Sequence, residues 1–376
     1  MNHKADILII GGGMAGASAG YFLALRGRKV ILLEQEDTCG YHTTGRSAAL
    51  YSQAYGNAAI RALTVAGEEF YENPPTGFAD HPLLTPSGAL FIGREDQRAL
   101  VEEAVKEGQA LVPSVRLVDS AEARSISPAL REDYVACAGW EPEARGIDVD
   151  ALHQGFLRGL RANSGEVVTK AGVQRLERKA GLWHAATSAG DFEAPIVINA
   201  AGAWADTVGQ MAGCEPVGCV PKRRTAFLFA PPESADVSTW PLTVDVEEEF
   251  YFKPMSGVLM GSPADETPVE PHDAFADEMD IAIGADRIQT ATTMEIRAIR
   301  HSWAGLRSFV ADKTPVAGFD PKQEGFFWLC GHGGYGIQTA PGLGEAVAAM
   351  AVGQDLPARI AGLGVTASTL SVERLR

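Results

Sequence analysis

An α/β fold that contains a second, antiparallel-sheet domain is predicted from three features of this 376-residue chain. An apolar run at Ala5–Ile10, a helical pattern at Met14–Arg26 and a second apolar run at Lys29–Leu33 indicate a βαβ unit. A later buried strand, Ile196–Ile198, leads into small residues, as at the sheet edge of a nucleotide-binding domain. Short alternating strands in residues 216–299 indicate a separate antiparallel sheet.

The turn between the first strand and helix carries the glycine pattern GxGxxG at Gly11, Gly13 and Gly16. Gly11 permits a tight turn, Gly13 permits close approach of a pyrophosphate, and Gly16 permits close packing of helix on strand. Glu34 ends the next strand at the spacing of a carboxylate that binds ribose hydroxyls, which disfavours NADP. The unit predicts a Rossmann-like dinucleotide-binding domain, and by itself it does not separate NAD from FAD.

Composition excludes several classes of function. A formal net charge of −16 disfavours nucleic acid or an anionic membrane as partner, so the basic run Lys222–Arg224 suits a small anion better. The five cysteines have no zinc or disulfide spacing, and no metal is expected. No apolar run approaches the roughly 20 residues that span a bilayer, and no signal peptide is visible, so we expect a cytoplasmic protein without a membrane span.

The order of the remaining elements predicts a substrate domain inserted in two pieces. A polar stretch at 39–56 precedes a predicted helix at Asn57–Tyr71, and a cluster of prolines then marks a boundary. Beyond it we predict a strand at Gly88–Gly93 and helices at Asp96–Glu107 and Asp148–Arg161. The predicted nucleotide-binding domain comprises residues 1–75, 145–215 and 300–376, and the substrate-binding domain comprises residues 76–144 and 216–299.

The last part of the chain has a strand, a glycine-dense turn and a helix of small residues. Four glycines, Gly331, Gly333, Gly334 and Gly336, precede this helix, whose N-terminus suits an anionic ligand edge. Close helix packing accounts better for Gly342 and Gly344 than for these four. The turn therefore predicts a second part of the ligand site.

With these segments in hand, the chain resembles the D-amino-acid oxidase-like (DAO) superfamily of FAD enzymes, and most closely the bacterial D-arginine dehydrogenases. The resemblance covers nearly the whole length and rests on GGGMAGAS, GYHTTGRSAALYSQAYG, DALHQGFLRGLR, VINAAGAWAD, PKRRTAF, EFYFKP, HSWAGLRSFVAD and GGYGIQT, in that order. It implies a non-covalently bound FAD. No second dinucleotide motif is visible, so electrons are expected to leave to oxygen, a quinone or a protein.

The resemblance also implies which further residues contact the cofactor. They lie in the GRSA, NAAG and GGYGIQ segments: Gly45, Arg46, Ser47, Ala48, Ala201, Gly202, Gly333, Gly334, Tyr335, Gly336, Ile337 and Gln338. The implied reaction transfers a hydride from Cα of a D-amino acid to flavin N5. The imino acid is then hydrolysed to a 2-oxo acid and ammonia.

Family position implies the substrate contacts as well. Arg307 is expected to bind the α-carboxylate, although a structural salt bridge is the alternative, and Tyr251 to donate a hydroxyl. Arg224 is the next candidate, because Arg223 and Arg224 point to opposite faces of a strand. Tyr55 is expected to cover the active site. The alternative is that Tyr55 packs against the helix that begins at Asn57. Gly334 and Gln338 are expected near the substrate amine, and His42 and His332 need not act as bases.

Two departures from the D-arginine dehydrogenase pattern bear on specificity. Leu50 stands where those enzymes have a histidine, and Ala89 where they have a glutamate. A buried cation without a carboxylate costs several kcal/mol, so apolar, aromatic or cyclic side chains are expected over D-arginine. The alternatives are oxidation of sarcosine-like secondary amines or a 2-hydroxy acid, and a flavin subunit of an electron-transfer complex.

Overall fold

The computed structural model describes residues 3–233 and 235–376. Its strands are numbered in chain order: β1 (His3–Lys4), β2 (Ile7–Ile10), β3 (Val30–Leu33), β4 (Leu50–Tyr51), β5 (Leu84–Pro86), β6 (Ala89–Gly93), β7 (Arg116–Asp119), β8 (Cys137–Glu141), β9 (Arg145–Ile147), β10 (Glu166–Val168), β11 (Val173–Lys179), β12 (Leu182–Thr187), β13 (Gly190–Ala194), β14 (Ile196–Asn199), β15 (Val220–Phe229), β16 (Leu242–Asp245), β17 (Tyr251–Met255), β18 (Val258–Ser262), β19 (Thr267–Pro268), β20 (Ile299–Phe309), β21 (Val316–Phe319) and β22 (Phe326–Cys330).

The α-helices are numbered in the same way: α1 (Met14–Leu25), α2 (Ala58–Ala66), α3 (Glu68–Glu72), α4 (Arg98–Gln109), α5 (Ser120–Ile126), α6 (Val149–Ala162), α7 (Ala205–Met211), α8 (Glu278–Ala291), α9 (Ala340–Ala351), α10 (Ala358–Ala361) and α11 (Ala367–Leu370). Short 3₁₀ turns lie at Thr44–Arg46, Glu95–Gln97, Gly202–Trp204 and Val372–Leu375. Within the described residues, every helix is too short or too polar to cross a bilayer.

The first sheet, which we call the nucleotide sheet, has the strand order β10-β3-β2-β14-β22-β21. Its neighbours are parallel except for the last pair, β21 and β22. The predicted βαβ unit forms its centre, with α1 connecting β2 to β3. Because parallel strands end at the same edge, the turns after β2, β14 and β22 meet there.

Both faces of the nucleotide sheet are buried, and the side chains of each strand alternate between two cores. Ile7 and Ile9 pack with the residues of α1, α6 and α9, whereas Leu8 and Ile10 pack beneath β11–β13 and α7. This double burial explains why β2 is an uninterrupted apolar run, as is usual for parallel sheets. The α/β prediction for this part is confirmed.

The second sheet, which we call the large sheet, has the order β19-β15-β18-β17-β16-β6-β8-β7, and β20 pairs along β15. The sheet was expected to be antiparallel, but β6 and β16 are parallel. The predicted boundary at residue 300 is also displaced. Strand β20 pairs with β15 from Val220 opposite Phe309 to Phe229 opposite Ile299, and therefore belongs to this sheet.

Two other predictions differ from the structure. The helix predicted at Asn57–Tyr71 is divided into α2 and α3 at Gly67, where the backbone of Gly342 approaches closely. The residues 216–299, predicted as strands and turns, also contain α8, which packs Ile288 into the core of the large sheet. Both differences arise from long-range packing, which local sequence patterns do not encode.

Replacement of Gly16 by alanine tests the packing of α1 on β2. A methyl group at Gly16 would collide with the carbonyl oxygen of Gly11, which belongs to a fixed turn. We expect G16A to lower the free energy of unfolding by about 2–3 kcal/mol. The measurement is urea unfolding of the cofactor-free protein.

Gly20, one turn along the same helix, provides the matched control. Its added methyl would lie 3.2 Å from Cδ2 of Leu160, a side chain that can move. The gain of roughly 1 kcal/mol in helix propensity offsets this contact, so G20A is expected to be near neutral. Equal stability of the two variants would contradict the close-packing role of Gly16.

Candidate active site

A long cleft opens where the carboxyl edge of the nucleotide sheet meets the large sheet. It is lined by the turn after β2, the residues that follow β14, the turn after β22 and the 40–48 segment. Most predicted cofactor residues line it: Gly11, Gly13, Glu34, Arg46, Ser47, Ala48, Ala201, Gly202, Gly333, Gly334, Gly336 and Ile337. The fold thus brings together segments that are more than 300 residues apart in sequence.

The glycine turn at one end of the cleft is held by its backbone. Gly11 has φ +110°, and any side chain there would collide with the backbone of Ala200. Gly13 faces the cleft just before α1, and the N–H of Met14 donates to Oγ1 of Thr44 at 3.0 Å. The positive end of α1 therefore points toward the cleft, where an anionic pyrophosphate would be stabilised.

Glu34 is buried at the end of β3, beside the same turn. Its carboxylate accepts the N–H of Gly12 at 2.8 Å and that of Glu36 at 3.0 Å. Burial raises the pKa of Glu34, and the bonds from these two backbone groups oppose that shift. The carboxylate is rigidly placed on the cleft wall, where it can accept further hydrogen bonds from ligand hydroxyls.

Arg46 and His42 form a polar network on the outer wall of the cleft. Arg46 donates to the carbonyl oxygens of Ala274 at 2.7 Å and Ala304 at 2.9 Å, and it forms an ion pair with Asp273. Nε2 of His42 lies 2.9 Å from Oε1 of Glu36. These contacts give both side chains structural roles at the point where the two sheets meet.

Two buried polar atoms on the cleft wall have no hydrogen-bond partner among the described residues. They are Nε2 of His332 and Oγ of Ser308. Burial lowers the pKa of His332 to about 4, so its ring is neutral near pH 7. Because unpaired buried polar atoms are rare, they indicate that a ligand with its own polar atoms occupies this part of the cleft.

A second cavity shares part of its wall with the first. Residues that line both are Ser47, Ala48, Arg224, Tyr251, Arg307, Gly334 and Ile337. The remaining wall of the second cavity is largely apolar and includes Leu50, Phe91, Leu242 and Val244. A long ligand in the first cleft would thus meet a small molecule in the second cavity at this junction.

Arg307 lies at the junction without a partner, whereas Arg224 is paired. Within the described chain the guanidinium of Arg307 forms no hydrogen bond or ion pair. Although burial opposes it, nearby Tyr55, Tyr251 and Glu248 keep the pKa of Arg307 above its usual value. Nε of Arg224 donates to the carbonyl oxygen of Asp265 at 2.8 Å, and Nη2 lies 3.3 Å from Glu266.

The neighbours of Arg307 explain how it is held. It lies opposite Lys222 in the β15–β20 pair, on the strand face that includes Arg224. A side chain at Gly334 would begin 2.8 Å from Nη1 of Arg307, so glycine leaves room for the guanidinium. As the strand alternation predicts, Arg223 points to the other face, where it pairs with Asp280 at 2.6 Å.

Tyr55 and Tyr251 line the second cavity near Arg307. The ring of Tyr55 lies 4.9 Å from that of Tyr335, and its carbonyl oxygen accepts a hydrogen bond from Gln338 at 3.3 Å. Burial raises the pKa of Tyr55. The Tyr55 hydroxyl is therefore a neutral donor beside a cation, and the Tyr251 hydroxyl lies near the same cation, an arrangement that binds carboxylates well.

Some predicted site residues lie elsewhere. Ala89 is fully buried between β8 and β16 and does not line either cavity, because its short side chain is covered within the sheet. Gly16 packs against the Gly11 turn, and Gly45 closes a turn against Gly40. Tyr335 lines neither cavity, and its ring lies 4.9 Å from that of Tyr55.

Sequence reasoning missed the four carboxylates that line the second cavity, which are Glu107, Glu141, Asp245 and Glu248. Glu141 ends β8 directly opposite Ala89, and Glu248 is exposed in the turn between β16 and β17. The only local signal is the charge of Glu141 itself, which ends the otherwise apolar run CAGWE. Among the described residues, no cluster of three or more histidine, cysteine or acidic side chains has the arrangement of a metal site.

Comparison with known proteins agrees with this geometry. FAD-dependent oxidoreductase domain-containing protein 1 of Bos taurus is 25% identical over 398 residues, which cover 92% of this chain and 81% of that protein. Mitochondrial sarcosine dehydrogenase of Homo sapiens is 25% identical over 370 residues, covering 92% of this chain but 39% of that longer protein. Glycine oxidase of Geobacillus kaustophilus has a similar crystal structure, with a TM-score of 0.78, 21% identity and coverage of 94% and 96% of the two chains.

The family itself is established by a further match. The model of the family described as DAO, FAD dependent oxidoreductase, matches residues 6–350. The finer resemblance to D-arginine dehydrogenases stays a prediction. The glycine turn, the buried Glu34 and the unpaired polar atoms of the cleft all suit a dinucleotide with a polar ring system. The chain therefore belongs to the DAO family of FAD-dependent oxidoreductases.

Proposed function

We propose that this chain oxidises the bond between Cα and nitrogen in amino acids, with D-amino acids as the first candidates. The observation that carries the proposal is the unpaired guanidinium of Arg307 at the junction of the two cavities. A partly buried cation without a protein partner is costly, so a substrate carboxylate is its natural counter-ion. Oxidation by hydride transfer gives an imino acid, which water hydrolyses to a 2-oxo acid and ammonia.

FAD would be held without a covalent bond by the first cleft. Gly11 and Gly13 would face its pyrophosphate, Glu34 its ribose, and Ser308 with His332 the polar edge of its ring. When bound, FAD supplies a hydride acceptor at N5 of the flavin. No covalent attachment is expected at Cys330, because this thiol is fully buried.

The side chains of the junction would orient the substrate. Arg307 would bind the carboxylate with two parallel hydrogen bonds, and the Tyr251 hydroxyl would donate a third. Fixing the carboxylate at two points sets the position of Cα, and the wall of the second cavity would hold the side chain, so that Cα–H faces the first cleft. Such positioning supplies most of the rate enhancement in a reaction that needs no protein nucleophile.

The wall of the second cavity supports a preference for apolar, aromatic or cyclic side chains. Leu50, Phe91 and Val244 offer apolar surface. Glu141 adds a carboxylate, but Ser52 already donates to it at 2.8 Å. Glu248 lies in an exposed turn, where its charge is screened by water. Asp245 accepts hydrogen bonds from the N–H of Glu247 at 2.9 Å and from Nε2 of Gln97 at 3.4 Å, and Glu107 lies 3.7 Å from Arg61. None of the four carboxylates is therefore a free, buried partner for a guanidinium.

Secondary amines form the main alternative substrate class on the same site. The relative named sarcosine dehydrogenase supports it, and N-methylglycine carries the same carboxylate for Arg307. A 2-hydroxy acid also carries this carboxylate. The three classes differ in the released product, because primary amines give ammonia, N-methylglycine gives formaldehyde or methylamine according to which C–N bond is oxidised, and hydroxy acids give neither.

Anaerobic bleaching of the flavin absorbance tests the proposed substrate class. The panel consists of D- and L-forms of proline, phenylalanine, leucine and arginine, together with N-methylglycine and D-lactate. We expect the fastest bleaching with an apolar, aromatic or cyclic D-amino acid, because its side chain fills the apolar wall. Fastest bleaching by D-arginine would contradict the side-chain preference, and bleaching by N-methylglycine or D-lactate alone would contradict amino-acid deamination.

Replacement of Arg307 by lysine tests the carboxylate anchor. R307K keeps the charge but loses the paired donors, so we expect kcat/KM to fall about 10²- to 10³-fold, largely through KM. The measurement is steady-state kinetics with the best panel substrate. R223K is the control, since Arg223 faces away from the junction, and it should change kcat/KM less than threefold. A similar loss in both variants would contradict the anchor.

An exposed apolar patch favours a second candidate, a flavin subunit of an electron-transfer complex. Phe275 and Met279 are 72% and 66% exposed, and Ile283 follows at the next helical spacing on α8. Exposed apolar patches mark interaction surfaces. The second candidate would replace the first if the purified chain bound FAD but were bleached by no panel member.

A further inference from the structure

Glu141 is a buried carboxylate to which the proposed reaction assigns no role. It is 2% exposed, ends β8 and lines the second cavity. Its neighbours on the paired strand β6 are apolar, with Ala89 directly opposite. A carboxylate in such a place needs strong hydrogen bonds, and the partners that supply them indicate its purpose.

Among the described residues, the groups that contact the Glu141 carboxylate as donors come from one short stretch, Ser52–Tyr55, which we call the Tyr55 segment. The hydroxyl of Ser52 donates to Oε2 of Glu141 at 2.8 Å. The backbone N–H groups of Gln53 and Ala54 also face this carboxylate and lower its pKa. Three consecutive residues thus direct donors at a single side chain.

The Tyr55 segment depends on such side-chain bonds because it lies between β4 and α2 without helix or strand structure. Gln338 holds it from the other direction. The N–H of Ser52 donates to Oε1 of Gln338 at 3.4 Å, and Nε2 of Gln338 donates to the carbonyl oxygen of Tyr55 at 3.3 Å. Glu141 therefore fixes the first three residues, and Gln338 fixes both ends.

We propose that Glu141 is a positioning residue whose carboxylate holds the Tyr55 segment so that Tyr55 covers the substrate beside Arg307. The substrate named in this inference rests on the proposed function. The attachment of the Tyr55 segment to Glu141 rests on the contacts described above. Tyr55 and Arg307 line the same cavity; Arg307 lowers the pKa of Tyr55, and Tyr55 raises the pKa of Arg307. Glu141 acts through the segment and does not touch the substrate.

The attachment of the Tyr55 segment to Glu141 is expected to depend on pH. Burial raises the pKa of Glu141 to about 7; the bonds from Ser52, Ala54 and Gln53 lower it, and the charge of nearby Glu143 raises it. Above this pH the ionised carboxylate accepts all three donors, and below it the added proton removes part of its acceptor capacity. The Tyr55 segment should loosen as the pH falls through about 7.

The free energy of unfolding of the whole chain should change with the titration of Glu141 in the direction opposite to the local stability of the Tyr55 segment. A carboxyl whose pKa is raised by folding binds its proton more tightly in the folded chain, so its contribution to stability falls as the pH rises toward 7. Replacement by glutamine removes the buried charge, and E141Q should be at least as stable as the wild type at pH 8. A local loosening in this variant is therefore not a consequence of general unfolding.

Hydrogen–deuterium exchange of the FAD-bound protein at pH 8 provides the direct test. In E141Q we expect exchange of the amides of Gln53 and Ala54 to rise about tenfold, because charge-assisted bonds are lost. E143Q is the matched control, since Glu143 is exposed and lies two residues away. It should exchange like the wild type.

Kinetics with the best amino-acid substrate complete the test. We expect KM to rise about tenfold in E141Q while kcat changes less than threefold, and the wild-type change in KM near pH 7 to disappear. Unchanged exchange in the segment, faster exchange throughout the chain, or an unaltered KM would each overturn the inference. Exchange needs no substrate, so a failure of amino-acid oxidation is recognised separately.

Discussion

The close approach of three backbone turns at the carboxyl edge of the nucleotide sheet is the constraint on which the rest of the structure depends. Gly11 turns between β2 and α1 with φ +110°, in contact with Ala200 on one side and Gly16 on the other. The third turn, after β22, continues the same edge through Gly331 and Gly333, both at positive φ. A side chain at Gly11 would collide with the backbone of Ala200, a side chain at Gly331 would crowd Val310, and one at Gly333 would collide with Phe309. The glycines thus create the cofactor cleft by letting backbones approach each other.

The large sheet contributes to this edge through one long antiparallel pair. Strands β15 and β20 bring Arg224 and Arg307 to the same face, but the two side chains differ in their ion pairing. Arg224 is neutralised by Glu266, whereas Arg307 is kept unpaired, with Gly334 against its guanidinium. An unpaired, partly buried cation lowers stability, and binding a carboxylate relieves that cost. The unpaired guanidinium therefore favours carboxylate binding at the junction of the two cavities.

Sequence patterns predicted the parts of the site that depend on local structure. The glycine turn, Glu34 and the alternation of Arg223 and Arg224 follow from spacing within one or two elements. Ala89 and Glu141 could not be interpreted in this way, because their positions depend on the register between β6 and β8, about 50 residues apart. The break at Gly67 and the placement of β20 likewise depend on contacts with distant elements. The roles of the site residues stay predictions, although most of these residues line the two cavities.

The turn after β22 connects the carboxylate anchor with the cover of the cavity. Gly334 of this turn abuts Arg307, and Gln338, four residues later, is bonded to both ends of the Tyr55 segment. A shift of this turn would thus move the anchor and the cover together. Glu141 restrains the same segment from a strand of the large sheet, which does not depend on that turn. The cover is therefore attached to both sheets, so any motion that separates the sheets must first break bonds to Gln338 or Glu141.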